Sequence, residues 1–247
     1  PLDCTDFLLC RRLDAVPDSR SVTVGFVGAG RTAGVLARAL ASHGYSVTAI
    51  NSRTWDSAKR LANSVGSCEA MGSAQEVADK SKLVFITTPD SLVEDAVEAV
   101  HWTPEHMVVH CSGTLTLGAL ASAAQVGAWV GSFHPFQTFT GGSADTPLAA
   151  VTFGIGAEEP FRSFLNDMAL VLGGSGVFVP ESARALYHAA AVMSCGYLIS
   201  VIGDAVELWK RAGLPEKEAI RAIGKLAETT VHNFVTDGLY QSITGPV

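Results

Sequence analysis

The chain has 247 residues, of which 48% are hydrophobic and 17% charged, and a formal net charge of −7. That length and composition allow one large or two modest domains with a sizeable core, and the acidic balance argues against a general nucleic-acid surface. The five cysteines (Cys4, Cys10, Cys68, Cys111, Cys195) are scattered without a C-x-x-C pair; this argues against a metal site and for a reducing, cytoplasmic setting.

Residues 1–20 hold Asp3, Asp6, Arg11, Arg12 and Asp14 around a Phe7-Leu8-Leu9 run. That run is too short for a signal peptide, so an N-terminal extension or short helix is expected. A β-branched strand near 22–27 then feeds into Gly28-Ala29-Gly30-Arg31-Thr32-Ala33, and a helical pattern follows over 31–43. Strand, Gly-x-Gly-x-x-Ala turn and helix form the setting of a dinucleotide fingerprint. Gly28 permits the tight turn, Gly30 lets backbone N–H groups approach a pyrophosphate, and the anion sits at the helix N-terminus.

The next strand, near 46–51, ends in Asn51-Ser52-Arg53. An NAD site places an acid here for the ribose 2′-hydroxyl. This chain has small polar side chains and an arginine, the donor set that suits a 2′-phosphate and hence NADP. Arg31 is a further candidate for the adenine or phosphate. Arg31, Arg53, Lys59 and Arg60 together place local positive charge beside an anionic cofactor.

Further strands are expected near 68–71, 82–87, 106–111 and 128–133, and helices near 55–65, 74–80, 90–100 and 115–124. A strand–helix–strand unit follows over 151–155, 159–172 and 176–179. Such alternation implies an α/β fold with a doubly wound, mostly parallel sheet. Beyond 180 the pattern is helical only. One long helix spans 181–211 and closes at Gly213; another restarts at Pro215 and closes at Gly238. The expected division is therefore an extension (1–20), a nucleotide-binding domain (21–180) and a helical domain (181–247). Residues 185–203 are uncharged, close to membrane-spanning length. Tyr187, His188, Ser194, Cys195, Tyr197 and Ser200 interrupt the run, which favours a buried core or interface helix over a membrane partner.

Nicotinamide chemistry belongs beyond the carboxyl ends of the central strands. Three segments reach that place. Thr87, Thr88 and Pro89 follow the fourth strand, where Thr88 fits an N-cap and Pro89 a first helical residue, or both threonines line the cofactor. Ser112 follows the fifth strand and is a candidate to hydrogen-bond a substrate; neighbouring Cys111 reads as a small buried hydrophobe. His134 follows the sixth strand, as a proton donor, a carboxylate ligand or a loop-holding histidine. Tyr187 and His188 on the long helix are further candidates for the proton that accompanies hydride transfer.

The combination of Gly28-x-Gly30-x-x-Ala33, Asn51-Ser52-Arg53, Thr88-Pro89-Asp90, His110-Cys111-Ser112-Gly113, Phe133-His134-Pro135-Phe136-Gln137 and Tyr187-His188-Ala189-Ala190-Ala191-Val192 resembles a family of Rossmann-like oxidoreductases whose C-terminal half is a domain of unknown function. The resemblance covers about 20–247. It places the chain near the 6-phosphogluconate and β-hydroxyacid dehydrogenase superfamily, with ketopantoate reductase, pyrroline-5-carboxylate reductase and prephenate dehydrogenase as relatives. It implies NADP, a helical second domain of the 6-phosphogluconate dehydrogenase type, a small-molecule substrate and a homodimer formed through the C-terminal helices. Two departures stand out. Gly196 occupies a position where such proteins commonly carry asparagine, and the long helix lacks a lysine before Lys210. The segment ending at Val247 matches one that continues further in the family, so a truncated end is expected. The reaction implied is NADP(H)-dependent reduction of a small carbonyl, 2-oxo acid or imine. The departures leave a degenerate NADP-binding regulator or redox sensor as the competing reading.

Overall fold

The structure, a computed structural model, describes residues 21–140 and 148–243. The 1–20 extension and the chain end at 244–247 lie outside the described residues. An eight-stranded sheet runs in the order β3-β2-β1-β4-β5-β6-β7-β8. Its strands are β1 (Thr23–Val27), β2 (Ser46–Asn51), β3 (Glu69–Met71), β4 (Leu83–Ile86), β5 (Met107–His110), β6 (Trp129–Pro135), β7 (Thr152–Ala157) and β8 (Ser175–Phe178). All neighbours are parallel except β6 and β7.

The inner strands read as continuous apolar runs because helices cover both faces. Alternate residues of β4 show this. Leu83 and Phe85 enter one core with Phe26, Phe133 and Phe153; Val84 and Ile86 enter the other with Val77, Val97 and Leu120. Phe26 stacks on Phe85 at 5.1 Å between centroids, and Phe133 on Phe153 at 4.4 Å. The first core is closed by α1 (Arg31–Ser42), α2 (Trp55–Val65) and α6 (Phe161–Val171). The second is closed by α3 (Ala74–Lys80), α4 (Val93–Glu98) and α5 (Ala121–Gln125).

Register sets the site. Asn51 pairs with Val27, Val27 with Ile86, Ile86 with His110, and His110 with Ser132. One row across the sheet thus ends β2, β1, β4 and β5, whose following turns emerge side by side, and meets Ser132 within β6, which continues to Pro135. Ser132 in turn pairs with Gly156 on antiparallel β7.

One helix start and one helix interior differ from the sequence reading. Pro89 is the N-cap, not the first helical residue, because its ψ of 147° is extended; a 3-10 turn begins only at Asp90 and α4 at Val93. The Thr88 side chain caps nothing. The long helix is also not uniform. After a 3-10 turn at Glu181–Ala183, α7 (Arg184–Val192) passes through a π turn at Met193–Tyr197 into α8 (Leu198–Arg211).

The chain divides into two compact units, 1–188 and 189–247. In the second, α8 packs on α9 (Glu216–Asp237). Gly213 and Gly238 end these helices at φ of 79° and 85°, where an L side chain is disfavoured.

Candidate active site

The turn after β1 is held by its neighbours. Gly28 N–H donates to the Asn51 carbonyl at 2.8 Å, and Thr87 N–H to the Val27 carbonyl at 2.8 Å. The Thr87 hydroxyl donates to the Val27 and Gly28 carbonyls at 3.2 and 3.0 Å. Thr87 therefore locks the turn. Gly30 caps α1, no side chain caps that helix, and no acid lies in its first turn. Its first N–H groups have no intrahelical partner, and a Cβ on Gly30 would meet nothing within 4 Å. Ala29 and Thr32 flank this open ground, half-buried. The Thr88 hydroxyl is buried without a partner among the described residues. A donor-rich helix end, open space and an unsatisfied hydroxyl are what a dinucleotide pyrophosphate and its adjoining ribose require.

At the end of β2 the three predicted residues diverge. Asn51 donates its side-chain amide to the Met71 carbonyl at 3.0 Å and so ties down β3. Ser52 is half-buried and Arg53 exposed, and Arg53 has no hydrogen bond or ion pair with another described residue. Arg31 donates to the Phe139 carbonyl at 3.3 Å.

A second cluster forms where β5 and β6 end. The Ser112 hydroxyl donates to Asp90 Oδ2 at 2.7 Å and accepts from the Thr114 and Leu115 N–H groups at 3.1 Å each. Its one proton is engaged, so Ser112 shapes the turn and has none to offer a substrate. His134 Nδ1 lies 2.8 Å from the Tyr187 hydroxyl, and its ring meets the rings of Tyr187 and His188 edge-on at 5.5 and 6.1 Å. Gly113 sits beneath them. A Cβ there would stand 2.6 Å from His188 Nδ1 and 2.9 Å from His134 Nε2. That His188 nitrogen is buried without a partner among the described residues.

Burial, then His188 and Arg184, lower the His134 pKa to about 4. Burial, then Arg184, lower that of fully buried His110 to about 4 as well. Burial raises the Tyr187 phenol to about 12. Both imidazoles are neutral near pH 7 and the phenol keeps its proton. Burial also pushes the Cys111 thiol up, which suits an inert core position. The two histidines carry a stability consequence. Their folded pKa values lie below the unfolded value of about 6.5, so the unfolded chain takes up protons first. Stability should be full above about pH 6.5, fall as pH drops through 6 and 5, and level off below about 4. Urea midpoints between pH 7.5 and 4 check this; the double variant H110Q/H134Q should show a smaller drop.

Sequence reasoning missed three contributors. Asp90 was read only as a helix start, yet its carboxylate gathers the Ser112 and Thr114 hydroxyls. Ser132 and Arg184 were not singled out, yet Arg184 is 2% exposed and donates to the Ser132 hydroxyl. No local signal marks Arg184, since it reaches partners far away in sequence. Among the described residues no group of His, Cys, Asp and Glu is placed to hold a metal.

Residues 23–113 match the family model described as NADP oxidoreductase, coenzyme F420-dependent. Residues 151–247 match that of a domain of unknown function, DUF2520. Among solved structures, a Bacteroides fragilis protein provisionally assigned as an NADP oxidoreductase is 27% identical, with a TM-score of 0.74 over 92% of this chain and 86% of that one. Two further neighbours show likeness of fold. A 1-pyrroline-5-carboxylate reductase from Streptococcus pyogenes is 17% identical at a TM-score of 0.72, covering 91% of this chain and 86% of its own. A reductive aminase from Aspergillus terreus, solved with NADPH and ethyl-5-oxohexanoate, is 16% identical at 0.67, covering 91% and 80%. Among curated proteins none matches. The nucleotide turn and the sheet order agree with these matches: the chain is similar over 23–113 to the NADP oxidoreductase, coenzyme F420-dependent, family and over 151–247 to the DUF2520 family.

Proposed function

We propose that this protein reduces a small carbonyl compound, a 2-oxo acid or an imine with NADPH. The supporting observation is the convergence of His134 Nε2 and His188 Nδ1 on Gly113, two strands across the sheet from the nucleotide turn. At the usual strand spacing that is about 10 Å, within reach of a bound dinucleotide's nicotinamide end. The cofactor supplies the hydride. The α1 N-terminus, with Gly28 to Thr32, holds the pyrophosphate; Thr88 and Pro89 border it; Arg53 and Ser52 take the 2′-phosphate, with Asn51 as their anchor.

His134 works as a neutral ring. In its Nε2–H tautomer, Nδ1 accepts the Tyr187 hydroxyl and Nε2 presents a donor over Gly113. His188 brings a second ring nitrogen to the same spot. Together they orient a substrate oxygen or nitrogen; as the Nε2 proton of His134 passes to it, Nδ1 takes the Tyr187 proton, and the phenolate left behind is reprotonated from water. Ser112 keeps the turn beneath them in shape.

A homodimer formed through the helical unit is part of the proposal. Ile199, Leu226 and Val235 there are 67%, 68% and 75% exposed, more apolar surface than a solitary helix pair should leave bare. The Glu181–Arg211 helix is long and apolar enough to cross a membrane. Arg184 and Tyr187 on it are hydrogen-bonded into the sheet site, which argues against a membrane-spanning role; the net charge of −7 argues against a nucleic-acid partner, and the scattered cysteines are the ground for a cytoplasmic setting. Sedimentation equilibrium without detergent tests both points: a monomer would remove the dimer, and insolubility would reopen the membrane.

The deciding experiment is calorimetric titration with NADPH and NADH, followed by a turnover screen of 2-oxo acids and cyclic imines. NADPH should bind more tightly. Arg53→Glu should weaken NADPH by about 10- to 100-fold, the worth of a charged hydrogen-bonded pair, and leave NADH nearly unchanged. Equal loss of both cofactors would remove the specificity assignment. Tight binding with no turnover of any substrate would favour the regulator reading.

A further inference from the structure

Arg184 is buried to a depth that arginines rarely reach without an acid beside them. Among the described residues it forms no salt bridge. Glu181, one turn earlier, contributes favourable charge, but a Glu181 carboxylate oxygen accepts the Leu117 N–H at 2.7 Å. The Arg184 guanidinium instead donates to the Ser132 hydroxyl and, at 3.5 Å, to the Ser112 carbonyl; its Nε has no partner among the described residues.

The sequence makes room for this side chain in an unusual way. β7 reads Thr152-Phe153-Gly154-Ile155-Gly156-Ala157, and residues 154 and 156 share one face of the strand. A Cβ on Gly156 would collide with the Arg184 guanidinium, and one on Gly154 with the Tyr187 hydroxyl. Arg184, Tyr187 and His188 stand at i, i+3 and i+4 on α7, hence on one helix face. Two glycines on one strand thus form a slot that admits one face of one helix.

What Arg184 ties together is the set of elements that carry the site. Ser132 lies on β6, two residues before His134. The Ser112 carbonyl belongs to the turn that ends at Gly113. His188 is one turn further along Arg184's own helix. We propose that Arg184 is the positioning residue of this site: wedged against Gly156, it fixes the Ser112–Gly113 turn relative to β6 and α7, so that His134 and His188 meet above Gly113. The proposal rests on the reduction reading for its catalytic consequence, though not for its geometry.

The same cation shapes the electrostatics. His134 is faced by Tyr187, His188 and Arg184 from α7, by Asp90 from the turn after β4 and by His110 from the end of β5. Arg184 and His188 oppose a charge on the His134 ring and Asp90 favours one. Removing the guanidinium therefore removes repulsion and leaves the Asp90 attraction.

The test uses Arg184→Met and Arg184→Lys in the full chain. Imidazole nitrogen shifts followed by NMR give the His134 titration, the Gly113 amide resonance reports the turn, and kcat, KM and NADPH affinity are measured beside them. In Arg184→Met the His134 midpoint should move up from about 4. The Gly113 resonance should shift, and kcat should fall by about 10²-fold with NADPH affinity kept, because misplacement of a reacting group is costly. Arg184→Lys retains the charge without the fork: the His134 midpoint should stay low while the Gly113 resonance still moves. An unmoved Gly113 resonance in Arg184→Lys, or NADPH affinity lost in step with kcat, overturns the proposal. Should Arg184→Met not fold, Arg184→Lys decides alone. Should the wild-type chain reduce nothing, the reduction reading falls while the two NMR measurements still judge Arg184.

Discussion

Gly28→Ala should abolish measurable NADPH binding and lower the melting temperature by roughly 6–12 °C, about 3 kcal/mol for a chain of this size. Two independent facts produce the effect. Gly28 has φ of 108°, which an L residue adopts only under strain. A Cβ there would also stand 2.8 Å from the Thr87 carbonyl carbon and oxygen and 2.9 Å from the Thr88 nitrogen. Those are backbone atoms, so no rotamer change relieves the overlap. Either the β1 turn or the β4 turn must retreat, which breaks the Gly28–Asn51 and Thr87–Val27 hydrogen bonds and displaces the helix end that faces the pyrophosphate. Gly30→Ala is the contrasting control. Its φ is −79° and its Cβ would meet nothing within 4 Å. It should melt like wild type and still lose NADPH affinity, because the methyl group occupies ground the pyrophosphate needs. A Gly28→Ala chain that melts and binds normally would mean that the two turns are not locked as described.

The contrast between these glycines shows what the sequence reveals and what it hides. The order of strands and helices up to 180 is legible because each element carries its own periodicity, and the Gly28–Gly30 turn because its glycines are adjacent in sequence. Thr88-Pro89 misleads for a local reason: a proline with extended ψ can end the approach to a helix as well as begin one, and the dipeptide looks the same in both cases. The π turn at Met193–Tyr197 leaves no periodic signature beyond one interrupted turn.

The site's interior is hidden for a different reason. The Ser112–Asp90, His134–Tyr187 and Arg184–Ser132 contacts join residues 22, 53 and 52 positions apart. They exist because register places Ile86, His110 and Ser132 in one row, and register is fixed by the packed core rather than by any residue in the row. His134, Tyr187 and His188 could be nominated from their chemistry. Arg184 could not, since an arginine at the head of a helix reads as a surface residue until Gly154 and Gly156 are known to face it.

Gly113→Ala should cut turnover by about 10²-fold while leaving NADPH affinity and melting temperature close to wild type. No positive φ holds Gly113 to glycine, so the backbone accepts alanine. The added methyl would meet ring nitrogens, His188 Nδ1 at 2.6 Å and His134 Nε2 at 2.9 Å, and rings can turn where the backbone at Gly28 cannot. Turning relieves the overlap cheaply but swings both imidazoles away from their meeting point and strains the 2.8 Å contact between His134 and Tyr187. The same chemical change thus falls on stability and cofactor binding at Gly28 and on the catalytic step at Gly113. Steady-state kinetics and a thermal melt on one preparation check the separation. Retained turnover would place the reacting atoms away from Gly113 and remove His134 and His188 from the chemistry; loss of the fold would show that the rings over Gly113 are rigidly packed and bear on stability before they bear on substrate.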